Sequence, residues 1–578
     1  MDKKLMLGNE AVARGLYEAG CRVISSYPGT PSTEITEFSA SYEEMYCEWA
    51  PNEKVAMETA CGAAIAGARS FCAMKHVGLN VAADPLFTAS YTGINAGMVI
   101  VVADDPGMHS SQNEQDSRHY ARASKIMMLE PADSSECLNY AKLAYSLSEK
   151  FDTPVILRLT TRVAHSRSLC VLSDRVDAGL KEYEKNPAKY VMMPAMAKGR
   201  HVVVENRIAA QTEWAETAGI NTVEYNDTKI GVITAGNTHN YAKEALGKNA
   251  SYLKLGCVWP LPVKLIKDFA AKCDKIYVIE ELDGFIEAHC KQLGIEVSGK
   301  DVFTPLGEYS QALVSKVILG KENEFACADI EIPGRPPVLC AGCPHRSLFY
   351  TLKNEKVTVS GDIGCYTLGA LQPLGMIDTC ICMGASISSL HGRNKANPEN
   401  AAKSVAVIGD STFIHSGITG LINVAYNKSN SVVIVLDNST TGMTGHQENP
   451  TTGKTIRGEL TTSVNIEQLA SAIGIKDVRV VDPYNLTQTR EAVKAALAFD
   501  GPSLIISRRP CALLKSVKHN PPLKIDTDKC TACKSCMRIG CPAISMKNGK
   551  AAIDFTQCVG CGVCTQLCKF SAITEREA

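Results

Sequence analysis

The sequence predicts an α/β chain of several parallel-sheet domains with a small cysteine-rich domain at its C-terminal end. Apolar, β-branched runs recur, each followed by a helix-like stretch: 98–103, 154–159, 229–235, 275–279, 403–408 and 431–436. Continuous apolar runs alternating with helices are the pattern of strands buried on both faces. The chain has 578 residues, and at roughly 100–200 residues per domain that length holds several domains. Of its 24 cysteines, eight fall within residues 530–568, which sets that segment apart from the rest.

The domain limits follow from breaks in this pattern. The run Ile332-Pro333-Gly334-Arg335-Pro336-Pro337 and the run Lys518-His519-Asn520-Pro521-Pro522 interrupt it. The segment from Ser166 to Asn226 is more polar, lacks clear strand–helix alternation and reads as a connector. The expected domains are 1–190 (with connector), 191–330, 331–518 and 519–578.

Composition narrows the function classes. A formal net charge of −1 gives no basic field for nucleic acid. No apolar run is long enough for a transmembrane helix, and the start does not read as a secretory signal, so a cytoplasmic protein is expected. A cytosolic chain of this size needs no disulfide framework. The clustered cysteines therefore read as metal ligands, and the scattered ones mostly as small buried apolar residues.

Within the cluster, Cys530, Cys533 and Cys536 are followed by Cys541-Pro542, and Cys558, Cys561 and Cys564 by Cys568. Three thiolates at this spacing wrap one cubane and the fourth comes from the other run. Cys530, Cys533, Cys536 and Cys568 would hold one [4Fe-4S] cluster, and Cys558, Cys561, Cys564 and Cys541 the other. Two zinc sites are the competing reading, but such sites rarely show two triple runs with a trailing cysteine. The segment resembles the internally repeated bacterial ferredoxins, with two departures. Four residues separate Cys536 from Cys541, and Lys569 stands where those proteins have proline.

Upstream, the strand 404–408 ends in Gly409-Asp410-Ser411, and the strand 431–436 ends in Asp437-Asn438. Two parallel strands joined by a crossover helix put Asp410 and Asn438 side by side at the carboxyl edge, where open α/β sheets bind ligands. A helix starting near Ser411 aims free N–H groups at an anion. Mg²⁺ takes oxygen ligands and shares phosphate oxygens, so Asp410, the Asn438 amide oxygen and a backbone carbonyl suit a Mg²⁺–diphosphate. This spacing resembles the signature of thiamine-diphosphate enzymes, with Ser411 and Asp437 as mild departures. The resemblance makes Thr440 the backbone ligand. It also makes Met383, in Cys382-Met383-Gly384-Ala385, the apolar prop beneath the cofactor.

Thiamine diphosphate also needs a buried carboxylic acid, kept protonated, as hydrogen-bond donor to its pyrimidine N1′. The stretch 52–67 offers Glu53 and Glu58, followed by Ala56, Ala60, Gly62, Ala63 and Gly67, small residues suited to close helix packing. On the helix alone, a solvated acid at its start is the simpler reading. The spacing from Glu53 resembles the pyrimidine-binding domain of thiamine enzymes and selects Glu53.

Tyr27-Pro28-Gly29-Thr30-Pro31-Ser32-Thr33-Glu34, Cys340-Ala341-Gly342-Cys343-Pro344-His345-Arg346, Gly361-Asp362-Ile363-Gly364-Cys365 and 441–447 resemble segments of the 2-oxoacid:ferredoxin oxidoreductases. The stretch 105–118 is similar to the large subunits of the indolepyruvate type, and 256–262 with Glu280-Glu281 resembles a transketolase C-terminal-like domain. The resemblance runs the length of the chain: pyrimidine domain, transketolase-like middle domain, diphosphate domain, ferredoxin. It implies Thr30, Glu53 and His345 at the reaction centre. It places Met383, Gly384, Gly409, Asp410, Ser411, Asn438, Thr440, Gly442, Met443 and Thr444 around the cofactor. It further implies coenzyme A as co-substrate, external ferredoxin as electron acceptor, an arylpyruvate substrate, and a smaller β subunit supplying a γ-type domain that this chain lacks. Other 2-oxoacid substrates and a non-oxidative decarboxylase are the alternatives. Cys340 and Cys343 form a third Cys-x-x-Cys without an evident second pair, and so read as a turn.

Overall fold

The computed structural model describes residues 2–322 and 329–575. Its contacts divide the chain into two compact units, Met1–Asp329 and Ile330–Ala578.

The first unit holds two sheets. The larger has seven strands in the order Cys257–Trp259, Met128–Leu129, Val155–Thr160, Met98–Asp104, Ser70–Lys75, Val23–Ser26, Tyr46–Trp49. All neighbours are parallel except the Cys257–Trp259 edge strand. The smaller sheet runs Lys275–Ile279, Ile230–Ala235, Ser251–Leu255, with an antiparallel edge at Thr222–Glu224. Every residue of Met98–Asp104 and Val155–Thr160 is buried, so β-branched side chains suit both faces of these strands. One apolar core runs from Met57, Ile100 and Val102 to Ile233, Leu253 and Phe269, and so draws on both sheets.

The segment read as a connector holds a 24-residue helix, Pro194–Thr217. Its inward positions are Val204, Arg207, Gln211 and Ala215. They share one face, but two are polar, which leaves no apolar stripe to read. Arg207 compensates by donating to the Asp152 carbonyl at 2.6 Å.

In the second unit a wholly parallel sheet runs Thr379–Cys380, Thr358–Gly361, Ser404–Gly409, Val432–Asp437, Ser503–Arg508, Asp477–Val481. The cysteine-rich segment of the same unit carries two antiparallel pairs, Leu523–Ile525 with Ile573–Glu575 and Ile544–Lys547 with Lys550–Ile553. The six apolar runs expected as strands all lie in these parallel sheets. Among the described residues, no helix is long and apolar enough to cross a membrane.

Candidate functional site

In the first unit, the loops after the parallel strands gather polar residues at one carboxyl edge. Glu53 opens the helix Glu53–Ile65, whose start is fixed by the Asn52 side chain accepting from the Val55 N–H at 2.9 Å. Glu53 is 4% exposed, whereas Glu58 is exposed and paired with Lys54. Packing explains the contrast. Ala56, Ala60 and Ala64 form the buried face of the helix, while Gly62 points outward, as a 3.6-residue period requires. A methyl group at Gly78 would lie 2.5 Å from Glu53 Oε1, so a glycine there is what admits the carboxyl. Thr30 lies half-buried in the loop after Val23–Ser26.

The loop after Met98–Asp104 is braced by Asp105. Its Oδ2 accepts from the Ser110 N–H at 2.8 Å and the Ser111 hydroxyl at 2.6 Å, and its Oδ1 from the Thr161 hydroxyl at 2.6 Å. Burial opposes ionisation of Asp105, but these donors hold its carboxyl below the usual range.

In the second unit, Asp410 and Asn438 stand at the carboxyl ends of adjacent parallel strands. The Asn438 side-chain amide lies 3.2 Å from Asp410 Oδ1 and 3.0 Å from the Thr440 carbonyl oxygen. Asp410 is 2% exposed and, among the described residues, its Oδ2 has no partner. Burial, then the nearby Asp437, pushes its carboxyl up to about 7. This donor set fits Mg²⁺.

Around it, Ser411 begins a helical stretch, Asp410–Thr412, that continues through a π-helical turn, Phe413–Gly417, into Ile418–Tyr426. The Thr441 hydroxyl donates to Ser411 Oγ at 3.0 Å. The turn Gly442–Thr444 lies beside Asn438, and Met443 is exposed. Gly384 has a left-handed φ of 84°, and a methyl there would lie 2.5 Å from Ser416 Cβ. Met383, before it, is half-exposed and so is no core methionine. His345 is buried, its imidazole pushed down to about 4 by burial. It packs edge-on against Tyr366 at 5.9 Å, and the Tyr366 ring lies under Gly409.

Two groups were not anticipated in these roles. Asp362, fully buried, accepts from the N–H groups of Gly384 and Ser386, both at 2.9 Å. It thereby anchors the Met383 turn. The Cys340–Cys343 turn does form, with the Cys343 N–H donating to the Cys340 carbonyl at 3.1 Å. However, single thiols from elsewhere gather at it. Cys365 is pushed up to about 11 by burial and then by the thiols of Cys511 and Cys340. Cys511 is raised by burial and by Cys340. A search for a second Cys-x-x-Cys misses this set; lone cysteines at the carboxyl edge of a sheet, after 358–361 and 503–508, are the signal.

In the cysteine-rich segment, one cavity is lined by Cys541, Cys558, Cys561 and Cys564, a second by Cys530, Cys533, Cys536 and Cys568. Each gathers three thiols of one run and the fourth of the other. The extra residue before Cys541 is absorbed by a left-handed turn at Gly540, φ 68°. Arg346 donates to the Gly540 carbonyl and to the Ile539 carbonyl at 3.2 Å. The first cavity is also lined by Gly342 and Cys343.

Three family profiles match the chain: a pyruvate flavodoxin/ferredoxin oxidoreductase thiamine-diphosphate-binding domain over residues 14–230, a thiamine pyrophosphate enzyme C-terminal binding domain over 362–507, and a 4Fe-4S dicluster domain over 522–569. The chain is 41% identical to an indolepyruvate oxidoreductase subunit IorA from Archaeoglobus fulgidus, across 99% of this chain and 97% of that protein. It is 40% identical to the subunit of that name from Pyrococcus horikoshii and 39% to that from Methanothermobacter thermautotrophicus, at the same coverage.

Proposed function

We propose that this chain, which belongs to the family of indolepyruvate oxidoreductase IorA subunits, oxidatively decarboxylates arylpyruvates with coenzyme A to arylacetyl-CoA and passes the electrons to ferredoxin. The chain is the catalytic subunit of a 2-oxoacid:ferredoxin oxidoreductase, with thiamine-diphosphate-binding and iron–sulfur domains. The observation that best supports the reading is the convergence of Asp410, the Asn438 amide and the Thr440 carbonyl at one strand edge, with a buried Asp410 Oδ2 that has no partner among the described residues.

Bound thiamine diphosphate supplies a nucleophilic carbon and an electron sink for cleavage beside a 2-oxo group. The chain's residues do the rest. Asp410, Asn438 and the Thr440 carbonyl hold Mg²⁺, and the N–H groups from Ser411 with the turn Gly442–Thr444 receive the diphosphate. Met383 props the rings, on a turn that Asp362 fixes. Glu53 donates its carboxyl proton in a hydrogen bond to N1′ of the pyrimidine. Thr30 meets the substrate.

The two cysteine sets of 530–568 hold two [4Fe-4S] clusters that take single electrons. A smaller β subunit completes the enzyme.

The test is anaerobic, arylpyruvate- and CoA-dependent reduction of a low-potential one-electron acceptor by the chain with its partner subunit. Glu53→Gln is expected to lower the rate by about 10²–10⁴-fold and leave the iron–sulfur absorption unchanged. Retained turnover rejects the role of Glu53. Aldehyde released without any acceptor favours the non-oxidative alternative.

A further inference from the structure

The carboxyl edge that carries Thr30 and Glu53 also carries a cation with no acid of its own. Lys75 ends the strand Ser70–Lys75. Its stem lies against the Thr30 loop: a methyl group at Gly29 would meet Lys75 Cγ at 3.4 Å. On the same edge, among the described residues, the arginines are already engaged. Arg118 holds Asp116 and Glu280, Arg158 holds Asp104 and Glu130, and Arg162 holds Glu308. Among the described residues, Lys75 makes a single side-chain hydrogen bond, donating to the Ser110 carbonyl at 2.7 Å. An ammonium has three donors, so two remain to be offered.

The next residue keeps this place from filling with further charge. The Ser111 hydroxyl spends its proton on Asp105, so His76 Nε2, 3.2 Å from Ser111 Oγ, must be the donor of that pair. His76 is thereby fixed as the Nε2–H tautomer, and burial followed by the Lys75 charge pushes it down to about 4. It stays neutral and leaves Lys75 as the positive charge at this position. Burial also lowers the Lys75 ammonium, while Asp105 acts to keep it charged. Asp105 is itself taken up by Ser110, Ser111 and Thr161.

We infer that Lys75 is the residue that binds the carboxylate of the 2-oxoacid substrate, beside the Thr30 loop against which its stem lies. The inference rests on the function proposed above and deepens it: it names the charge that makes an acid, rather than a neutral carbonyl compound, the preferred ligand. Lys75 would give two charge-assisted hydrogen bonds to the carboxylate, and His76 is a positioning residue held by the Asp105–Ser111 pair.

The experiment uses the chain with its partner subunit and phenylpyruvate as probe. Lys75→Met is expected to raise KM for phenylpyruvate by roughly 10- to 100-fold, with kcat falling less. Thiamine diphosphate affinity and iron–sulfur absorption should be those of the wild type. Lys75→Arg, which restores the charge, should recover most of the lost KM. An unchanged KM in Lys75→Met, an Arg variant no better than Met, or a matching loss of cofactor affinity overturns the inference alone. Absence of phenylpyruvate turnover by the wild-type enzyme overturns the function on which it rests, and the inference with it.

Discussion

Buried acids occur in both units, and what neutralises them differs. In the first unit Asp104, Asp116, Glu130, Glu280 and Glu281 are buried together with Arg118 and Arg158. Arg118 donates to Asp116 and Glu280 and to the carbonyls of Glu281 and Asp283, both at 3.1 Å. Arg158 pairs with Asp104 at 2.7 Å and Glu130 at 2.8 Å. In the second unit Asp437 has Arg508 at 2.6 Å, but Asp410 beside it has no cation and one bare oxygen. Acids that carry their counter-charge in the sequence tie elements together; an acid buried without one either keeps its proton or, at a ligand site such as that of Asp410, takes its counter-charge from outside. Opposite signs of effect should follow from removing charge in the two places. Arg118→Met leaves Asp116 and Glu280 unpaired in the interior and is expected to cost about 3–5 kcal/mol, measured by denaturant unfolding of the full chain. A variant as stable as the wild type would mean that the network does not hold its elements together.

At Asp410 the same removal of charge should spare the fold and strike binding. Asp410→Asn keeps the shape, relieves an uncompensated buried acid, and is expected to leave thermal unfolding unchanged or slightly raised. Loss of the ligand charge should weaken Mg²⁺-dependent thiamine diphosphate binding about 100-fold, ~2.8 kcal/mol. Calorimetric titration with and without Mg²⁺ checks this; equal affinity for the Asn variant would remove Asp410 from the metal site.

The two regions also differ in how readable they were. The strands around Asp410 announce themselves as unbroken apolar runs, and their parallel pairing follows from the helices between them. The short spacing from each strand to its polar residue then carries Asp410, Asn438 and Thr440. The thiol pairing of residues 530–568 follows from the same local logic. The Arg118 network was not legible, because its members lie up to 177 positions apart, from Asp104 to Glu281. Nothing local distinguishes a buried Arg118 from a surface arginine. Lys75 and Asp362 were missed for a related reason. Each sits in an ordinary-looking strand end, and its role depends on what a distant loop brings to it: Ser110 for Lys75, Gly384 for Asp362. The helix Pro194–Thr217 escaped because buried Arg207 and Gln211 break the apolar periodicity that identifies a helix.

Five carboxylates against two guanidiniums leave the first unit's network short of positive charge, and the shortfall should appear as a pH dependence. Glu281 accepts from the Tyr309 N–H at 2.8 Å and from Asn237 at 3.5 Å, with no cation in contact among the described residues. Burial pushes its carboxyl from 4.5 up to about 7. The folded chain therefore keeps this proton in a window where the unfolded chain has released it. An acid whose folded value is raised loses stability as pH climbs from the unfolded value through the folded one. Between pH 6 and 7 the expected loss is about 1 kcal/mol, smaller than either effect above. Glu281→Gln removes the titration and keeps the Tyr309 contact, so its stability should match the wild type near pH 5 and exceed it above pH 7. Unfolding curves for both proteins across this range test the assignment. The difference between them isolates Glu281 from Asp104, which burial pushes up to about 6 in both. A constant difference across the range would place the missing charge elsewhere in the network.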